Sequence, residues 1–220
     1  MKTTLQYNNK DYHIDLSKPL DISIPLRGDQ SNPTAWYVGA PKFDPVMTDH
    51  FIGDVKKGGD VNFRNIFFNP HGNGTHTECV GHISKETYTI NNCLKEFFFL
   101  SSLISITPEQ INGDYIITID QIKSVWKNIG GKAIIIRTLP NSRDKLSMQY
   151  SNTNPTFIDY KAVQFLIDNG IDHLLIDTPS VDKERDGGSL KSHHTFWEYP
   201  NNIQLKRTIT ELVFIPDSIL

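Results

Sequence analysis

GKAIIIRT, residues 131–138, and DHLLIDTPSVD, residues 172–182, decide the fold class. Ala133-Ile134-Ile135-Ile136 and Leu174-Leu175-Ile176 are short apolar runs, and they read as buried strands. Ahead of the first, Ile119, Ile122, Val125, Trp126 and Ile129 fall at helical spacing, and Gly130-Gly131 stops the run. Between the two, Ile158, Ala162, Phe165 and Leu166 trace a second helix, with Gly170 as its cap. Helix followed by apolar strand, twice, is the rhythm of α/β crossovers. Leu212-Val213-Phe214-Ile215 reads as a further strand near the end.

Toward the amino terminus the signals turn antiparallel. Leu5–Tyr7 and Tyr12–Ile14 flank Asn8-Asn9-Lys10, a hairpin pattern. Ile22, Ile24 and Leu26 alternate with Ser23 and Pro25, which suggests a strand near an edge, because proline cannot donate to a ladder. Phe51–Val55 and Val61–Phe68 flank Lys56-Lys57-Gly58-Gly59-Asp60, a second hairpin pattern. Hairpins ahead of crossovers imply a mixed sheet. The loop from Leu139 to Thr156 is long and rich in Asn, Ser and Thr, the composition of a functional lid or of a mobile surface loop. Phe97-Phe98-Phe99-Leu100 is a dense apolar run of the kind that usually lies in a core; part of it left exposed would favour association.

Composition excludes several classes. Of 220 residues, 38% are hydrophobic, 10% aromatic and 21% charged, with a net charge of −3. That is too apolar for a disordered chain, and it lacks the basic excess of a general nucleic-acid binder. No stretch approaches the ~20 apolar residues that span a bilayer. The amino-terminal MKTTLQYNNKDYHID has no apolar core of a signal peptide, so a cytoplasmic protein with no membrane partner is expected. Cys79 and Cys93 are expected to be a reduced pair rather than a scaffold. The length suits one domain over residues 1–220.

The chemistry concentrates in two segments. His71, His76 and His82 lie in NPHGNGTHTECVGH with Glu78 between the last two. If the segment is extended, His76, Glu78 and His82 share one face, and imidazoles with a carboxylate suit a divalent cation such as zinc or manganese. Glycines at 72, 74 and 81 let the backbone turn tightly. The second segment, IDTPSVDKERDGGSLKSHH, begins where the strand ending at Ile176 closes. Ligands bind at the carboxyl ends of strands in open α/β sheets, which places Asp177, Ser180, Asp182, His193 and His194 well. Adjacent side chains rarely point the same way, so one of His193 and His194 is the ligand and the other its neighbour. Trp36, Phe67, Phe68 and Trp197 are aromatic residues that could stack on an aryl substrate or belong to the core.

Gly74-Thr75-His76-Thr77-Glu78 with His82 four further on resembles the signature H-x-G-T-H-x-D-x-P-x-H of the cyclase family, whose best-known members are bacterial kynurenine formamidases. Ile176–Asp182 resembles the family's D-x-x-S-x-D segment, His193-His194 its His-His pair, Thr210-Glu211-Leu212 its near-terminal glutamate, and Ile136-Arg137-Thr138 its strand end. The matches run roughly from residue 20 to 216. Three departures stand out: Glu78 replaces Asp, Val80 replaces Pro, and His71 lies five before His76 while Gly72 holds the family's histidine position. One extra residue reverses the face of an extended side chain, and a bulge at Gly72-Asn73-Gly74 would restore it.

The resemblance implies an α/β fold with a mixed, partly closed β-sheet and flanking helices, assembled as a homodimer or larger oligomer. It implies a small-molecule amide substrate, as in removal of the formyl group of N-formylkynurenine during tryptophan breakdown, or a reaction of relatives such as ring opening or dehydration. One or two zinc or manganese ions per chain would be held by His71, His76 and Glu78 at one position and by Glu78, His193 and Glu211 at the other. His82 would be the acid/base, with Glu78 bridging. Asp177, Ser180, Asp182, His194 and Trp36 would support the site or bind substrate.

Overall fold

A computed structural model describes residues 1–219. The chain runs β1 (Lys2–Tyr7), β2 (Lys10–Asp15), β3 (Lys42–Pro45), β4 (Met47–Thr48), β5 (Phe51–Ile52), β6 (Arg64–Phe67), α1 (Pro70–Asn73) and β7 (His76–Glu78). It continues with α2 (Ile90–Cys93), β8 (Ser101–Ile106), β9 (Glu109–Ile111), β10 (Asp114–Ile117), α3 (Ile119–Val125), β11 (Ala133–Thr138), β12 (Phe157–Ile158), α4 (Tyr160–Asp168), β13 (His173–Ile176), α5 (Lys191–Trp197) and β14 (Thr208–Glu211). The central sheet has the order β7-β14-β13-β11-β8. β8, β11, β13 and β14 are parallel and β7 is antiparallel to β14, so the sheet is mixed, as the sequence predicts.

Both diagnostic runs are core strands. Ile134, Ile136, Leu174 and Ile176 are fully buried, and α3, α4 and α5 pack over them through Ile122, Leu166, Phe196 and Trp197. α4 starts at Asp159, whose carboxylate accepts from Lys161 N, and ends before Gly170 at φ 85°. Ile158 belongs to β12, not to the helix. α3 stops at Val125 because Trp126 is already extended (φ −90°, ψ 125°), which leaves Ile129 43% exposed.

Four expectations are corrected. β14 covers Thr208–Glu211 rather than Leu212–Ile215, since Leu212 turns into the left-handed region at φ 53°. Ile22–Leu26 is extended but joins no ladder; Ile24 N donates to Thr75 Oγ1, and Pro25 has no N–H to offer. The arms flanking residues 56–60 do not form one hairpin: β5 pairs with β4 and β6 with β3, and a 3-10 turn, Val55–Lys57, fills the gap. Phe97 and Phe98 are 70% and 86% exposed rather than core, while Phe99 lies over His173 with ring centres 3.7 Å apart. The β1–β2 hairpin is as expected, with Tyr7 opposite Lys10. The long loop is anchored: Thr34 bridges Gln149, and Lys145 Nζ donates to Thr138 O and to Asp177. Cys79 and Cys93 are buried free thiols. Among the described residues, no helix is long and apolar enough to cross a membrane.

Candidate metal centre

The centre lies where β7 meets the carboxyl end of β14. His76 stands opposite Glu211 and Glu78 opposite Ile209. Alternation puts His76 and Glu78 on one face and Thr77 on the other, where its hydroxyl meets that of Thr210 at 2.8 Å. His76 Nδ1 donates to Gly74 O at 3.0 Å, which turns Nε2 toward Glu211 Oε2 at 3.5 Å.

His71 arrives by a helical turn and not by a bulge. Asn69 caps α1 by accepting from Gly72 N at 3.1 Å, Pro70 opens the turn, and His71 Nδ1 comes to 3.2 Å from Glu78 Oε2. Gly72 has no room for a side chain: a Cβ there would collide with Val38 and lie 2.9 Å from Ala35 O. The inward imidazole therefore comes from the neighbouring position. His82 also departs from the extended reading. A 3-10 turn, Val80–His82, brings its Nδ1 back to 3.4 Å from Glu78 Oε2, four residues along as on a helix.

The second segment supplies His193 from α5. Its Nε2 lies 3.0 Å from Glu78 Oε1 and 3.7 Å from Glu211 Oε1, and its Nδ1 is 2.6 Å from Asp182 Oδ2. Asp182 also accepts from Ser192 N at 2.8 Å and His193 N at 3.1 Å, and Asp182 N donates to Ser180 Oγ at 3.0 Å. Glu211 Oε1 accepts from Val181 N at 2.9 Å. His194 points away, with Nδ1 donating to Tyr199 O at 3.1 Å. Asp177 accepts from Thr138 N and Lys145 Nζ, so it ties strand end to loop. Trp36 is half-buried against Ile24, Ala35, Tyr150 and Leu212, and Trp197 is fully buried with its ring 5.5 Å from that of His193. Phe67 and Phe68 are 77% and 50% exposed. Sequence reasoning missed Lys145, because a lysine in a polar loop carries no pattern.

Two donor sets share Glu78: His71, His76 and Glu78, and then Glu78, His82 and His193. In each set the donor atoms lie within 4.8 Å of one another. His76 Nε2 and Glu78 Oε2 are buried and have no hydrogen-bond partner. Orphaned buried acceptors are costly unless something fills the space between them, and imidazole nitrogen with carboxylate oxygen is the donor set of zinc and manganese. The residues fit a divalent cation.

The electrostatics agree. Burial opposes the charge of Glu78, yet the imidazoles of His193, His71 and His82 hold its carboxyl below the usual range. Burial and the charge of Glu78 push Glu211 up. Burial opposes charge on His193 too, but Asp182, Glu78 and Glu211 outweigh it and push the imidazole up to about 10. Burial and the neighbouring imidazoles drive His82 down to about 4 against the pull of Glu78.

The sequence profile of the family named Cyclase matches residues 14–183. The chain belongs to the Cyclase family. Solved structures share this fold. A predicted metal-dependent hydrolase from Bacillus stearothermophilus is 17% identical, with TM-score 0.58 over 90% of this chain and 83% of its own. Isatin hydrolase A from Labrenzia aggregata is 16% identical, with TM-score 0.61 over 90% of this chain and 81% of its own. A structure described as a novel cyclase gives 16% and 0.61 over 91% and 77%. A search of curated protein sequences finds no match. Within this Cyclase chain His71, beside the glycine at 72, takes the inward place.

Proposed function

We propose that this Cyclase-family protein is a metal-dependent hydrolase of a carbon–nitrogen bond, acting on an aryl formamide or a cyclic amide. The observation that carries the reading is Glu78, a buried carboxylate whose two oxygens face His193 on one side and His71 and His82 on the other. His71, His76, Glu78, His193 and Glu211 would hold zinc or manganese, one ion or two. Bound there, the ion supplies a water acidified toward ~7 and a Lewis acid for the amide carbonyl. His82, neutral at pH 7 and 32% exposed, takes a proton from the attacking water and returns it to the leaving nitrogen. Asp182 fixes the ring of His193. The structural similarity to isatin hydrolases supports the cyclic amide as the second substrate class. Purified protein assayed with N-formylkynurenine, isatin and simple aryl formamides, with and without chelator, tests the reading. Chelator-insensitive or absent hydrolysis of the whole panel overturns it.

The same reading includes a homodimer. β6 is exposed along its whole length in a two-stranded ribbon with β3; Ile66 and Phe67 on it are 56% and 77% exposed, and Phe63 and Phe68 flanking it are 57% and 50% exposed. Such a ribbon is marginal alone, and an apolar patch of this kind favours association. Light scattering of dilute protein decides: a stable 25.1 kDa monomer with full activity refutes the dimer.

A further inference from the structure

A cavity of about 400 Å³ opens at the carboxyl ends of β8, β11 and β13, where Thr107, Leu139 and Asp177 follow the strands. Ligands of open α/β sheets bind at this edge. The volume lies within the ~300–1,000 Å³ of small-molecule sites. Tyr115, Leu139, Pro140, Met148, Tyr150 and Pro155 give it apolar and aromatic walls, all but Tyr115 from the loop 139–156. None of His71, His76, Glu78, His82, His193 and Glu211 lines it, so it is a site apart from the metal centre.

One carboxylate oxygen of the lining is unmet. Asp177 is only 2% exposed. Its Oδ2 accepts from Thr138 N at 2.9 Å and from Lys145 Nζ at 2.8 Å, while its Oδ1 has no partner among the described residues. Lys145 has nothing left to give: its three protons go to Thr138 O at 2.7 Å, Thr138 Oγ1 at 3.0 Å and Asp177 Oδ2. Neighbouring polar side chains are committed as well. The hydroxyls of Thr153 and Thr178 donate to Tyr150 O and Ser180 O, and Asn154 Nδ2 donates to Asp114 Oδ1. Burial and the charge of Asp177 push the Tyr150 hydroxyl up, so the wall near this carboxylate is a neutral phenol. A buried acceptor without a partner, set among apolar walls, selects a hydrogen-bond donor. Lys145 already balances the carboxylate, so a cation would lose its hydration with no counter-charge left, and an anion would meet Oδ1 with like charge. The ligand that fits is neutral.

We propose that this cavity is a second small-molecule site, for a neutral aromatic ligand that donates one O–H or N–H to Asp177 Oδ1. The test titrates the protein with 2-naphthol and with its methyl ether, which has nearly the same shape and no donor, following ligand fluorescence. The parental protein should bind naphthol ~10- to 100-fold more tightly than the ether, the range of a hydrogen bond to a charged group. Chelator should leave both affinities within about twofold, because the cavity shares no metal donor. Asp177→Asn can keep its oxygen on Thr138 N and Lys145 and turn its NH2 to the cavity, so the preference should fall to about twofold or less while the ether still binds. Met148→Trp fills the cavity and leaves Asp177 in place; it should weaken naphthol ~10-fold or more at an unchanged melting temperature. Equal parental binding of the two compounds, binding of neither, naphthol binding lost with the metal, a naphthol preference retained in Asp177→Asn, or parental affinity in Met148→Trp each overturns the proposal. If Asp177→Asn does not fold, the parental ratio and Met148→Trp decide.

Discussion

Asp182→Asn is the sharpest probe of how the protein prepares its metal centre. Asp182 accepts three N–H groups: Ser192 N at 2.8 Å, His193 N at 3.1 Å and His193 Nδ1 at 2.6 Å. An asparagine offers one oxygen and one NH2 in the same buried space. Either orientation sets a donor against a donor, and one unsatisfied buried group costs about 1–3 kcal/mol. If the NH2 faces the ring, Nδ1 must accept, and the ring proton moves to Nε2. That nitrogen faces Glu78 and Glu211 at 3.0 and 3.7 Å, where a ligand needs its lone pair. A competing effect has the opposite sign. Removing the Asp182 charge lowers the affinity of His193 for its proton, which favours metal. Loss of ring orientation outweighs it, because partners that orient a ligating histidine are typically worth ~10- to 100-fold in metal affinity. The expectation is therefore a ~10- to 100-fold weaker zinc or manganese affinity at pH 7.5, or about 1.4–2.7 kcal/mol. Competition with a chromophoric chelator measures it, and a thermal melt checks that the variant folds, with a fall of roughly 2–4 °C per kcal/mol lost. A folded Asp182→Asn protein that binds metal within twofold of the parent refutes the reasoning.

Other outcomes follow from the same geometry. Glu78→Ala should abolish hydrolysis and most metal uptake, while Glu78→Asp should retain some of both, because the charge survives and only the reach shortens by one methylene; parental rates in Glu78→Ala would end the bridging role, by elemental analysis and initial rates. His82→Ala should keep its metal and lose ~10²–10⁴-fold in turnover. Loss of metal in that variant reassigns His82 as a ligand, and lower stability at parental rate makes it a turn residue. Metal binding at pH 7 should release a proton, because His193, held up at about 10, must give one up, whereas His82 at about 4 has none to give. Affinity should thus rise between pH 6 and 8; calorimetry in buffers of different ionisation enthalpy counts the protons, and zero release contradicts the assignment. In metal-free protein the raised His193 contributes stability that is full below its ordinary 6.5 and is lost as pH rises through about 10. Urea midpoints with chelator present should therefore fall from pH 6 to 9; a flat or rising profile counts against a charged His193.

The long-range features of the fold follow from local pattern. Ala133–Ile136 and Leu174–Ile176 are buried strands because short apolar runs without polar alternation have no stable solvent-facing form, and the helices ahead of them carry the 3.6-residue period. The centre was legible in outline for a similar reason. His76 and Glu78 are two apart, and a strand of any register puts them on one face. Residues that act through local geometry were therefore visible in the sequence.

What the sequence left open depends on space between distant segments. Whether His71 faces inward was decided in space: the loop at Ala35–Val38 denies Gly72 a side chain, and the helical turn Pro70–Asn73 carries His71 to Glu78. Which of His193 and His194 enters the centre was decided by Asp182 and the angle of α5, since adjacent helical residues point about 100° apart and only packing chooses between them. The strand at the carboxyl end shifted to Thr208–Glu211 because Leu212 must leave the ladder to seat Glu211 beside Val181. Phe97 and Phe98 read as core by composition, yet they lie outside it because they precede β8, the edge strand of the central sheet, in a segment that belongs to no strand itself. Hydrophobic period is a property of neighbours along the chain and survives in the sequence; burial and approach are properties of neighbours in space, and only the packed chain creates them.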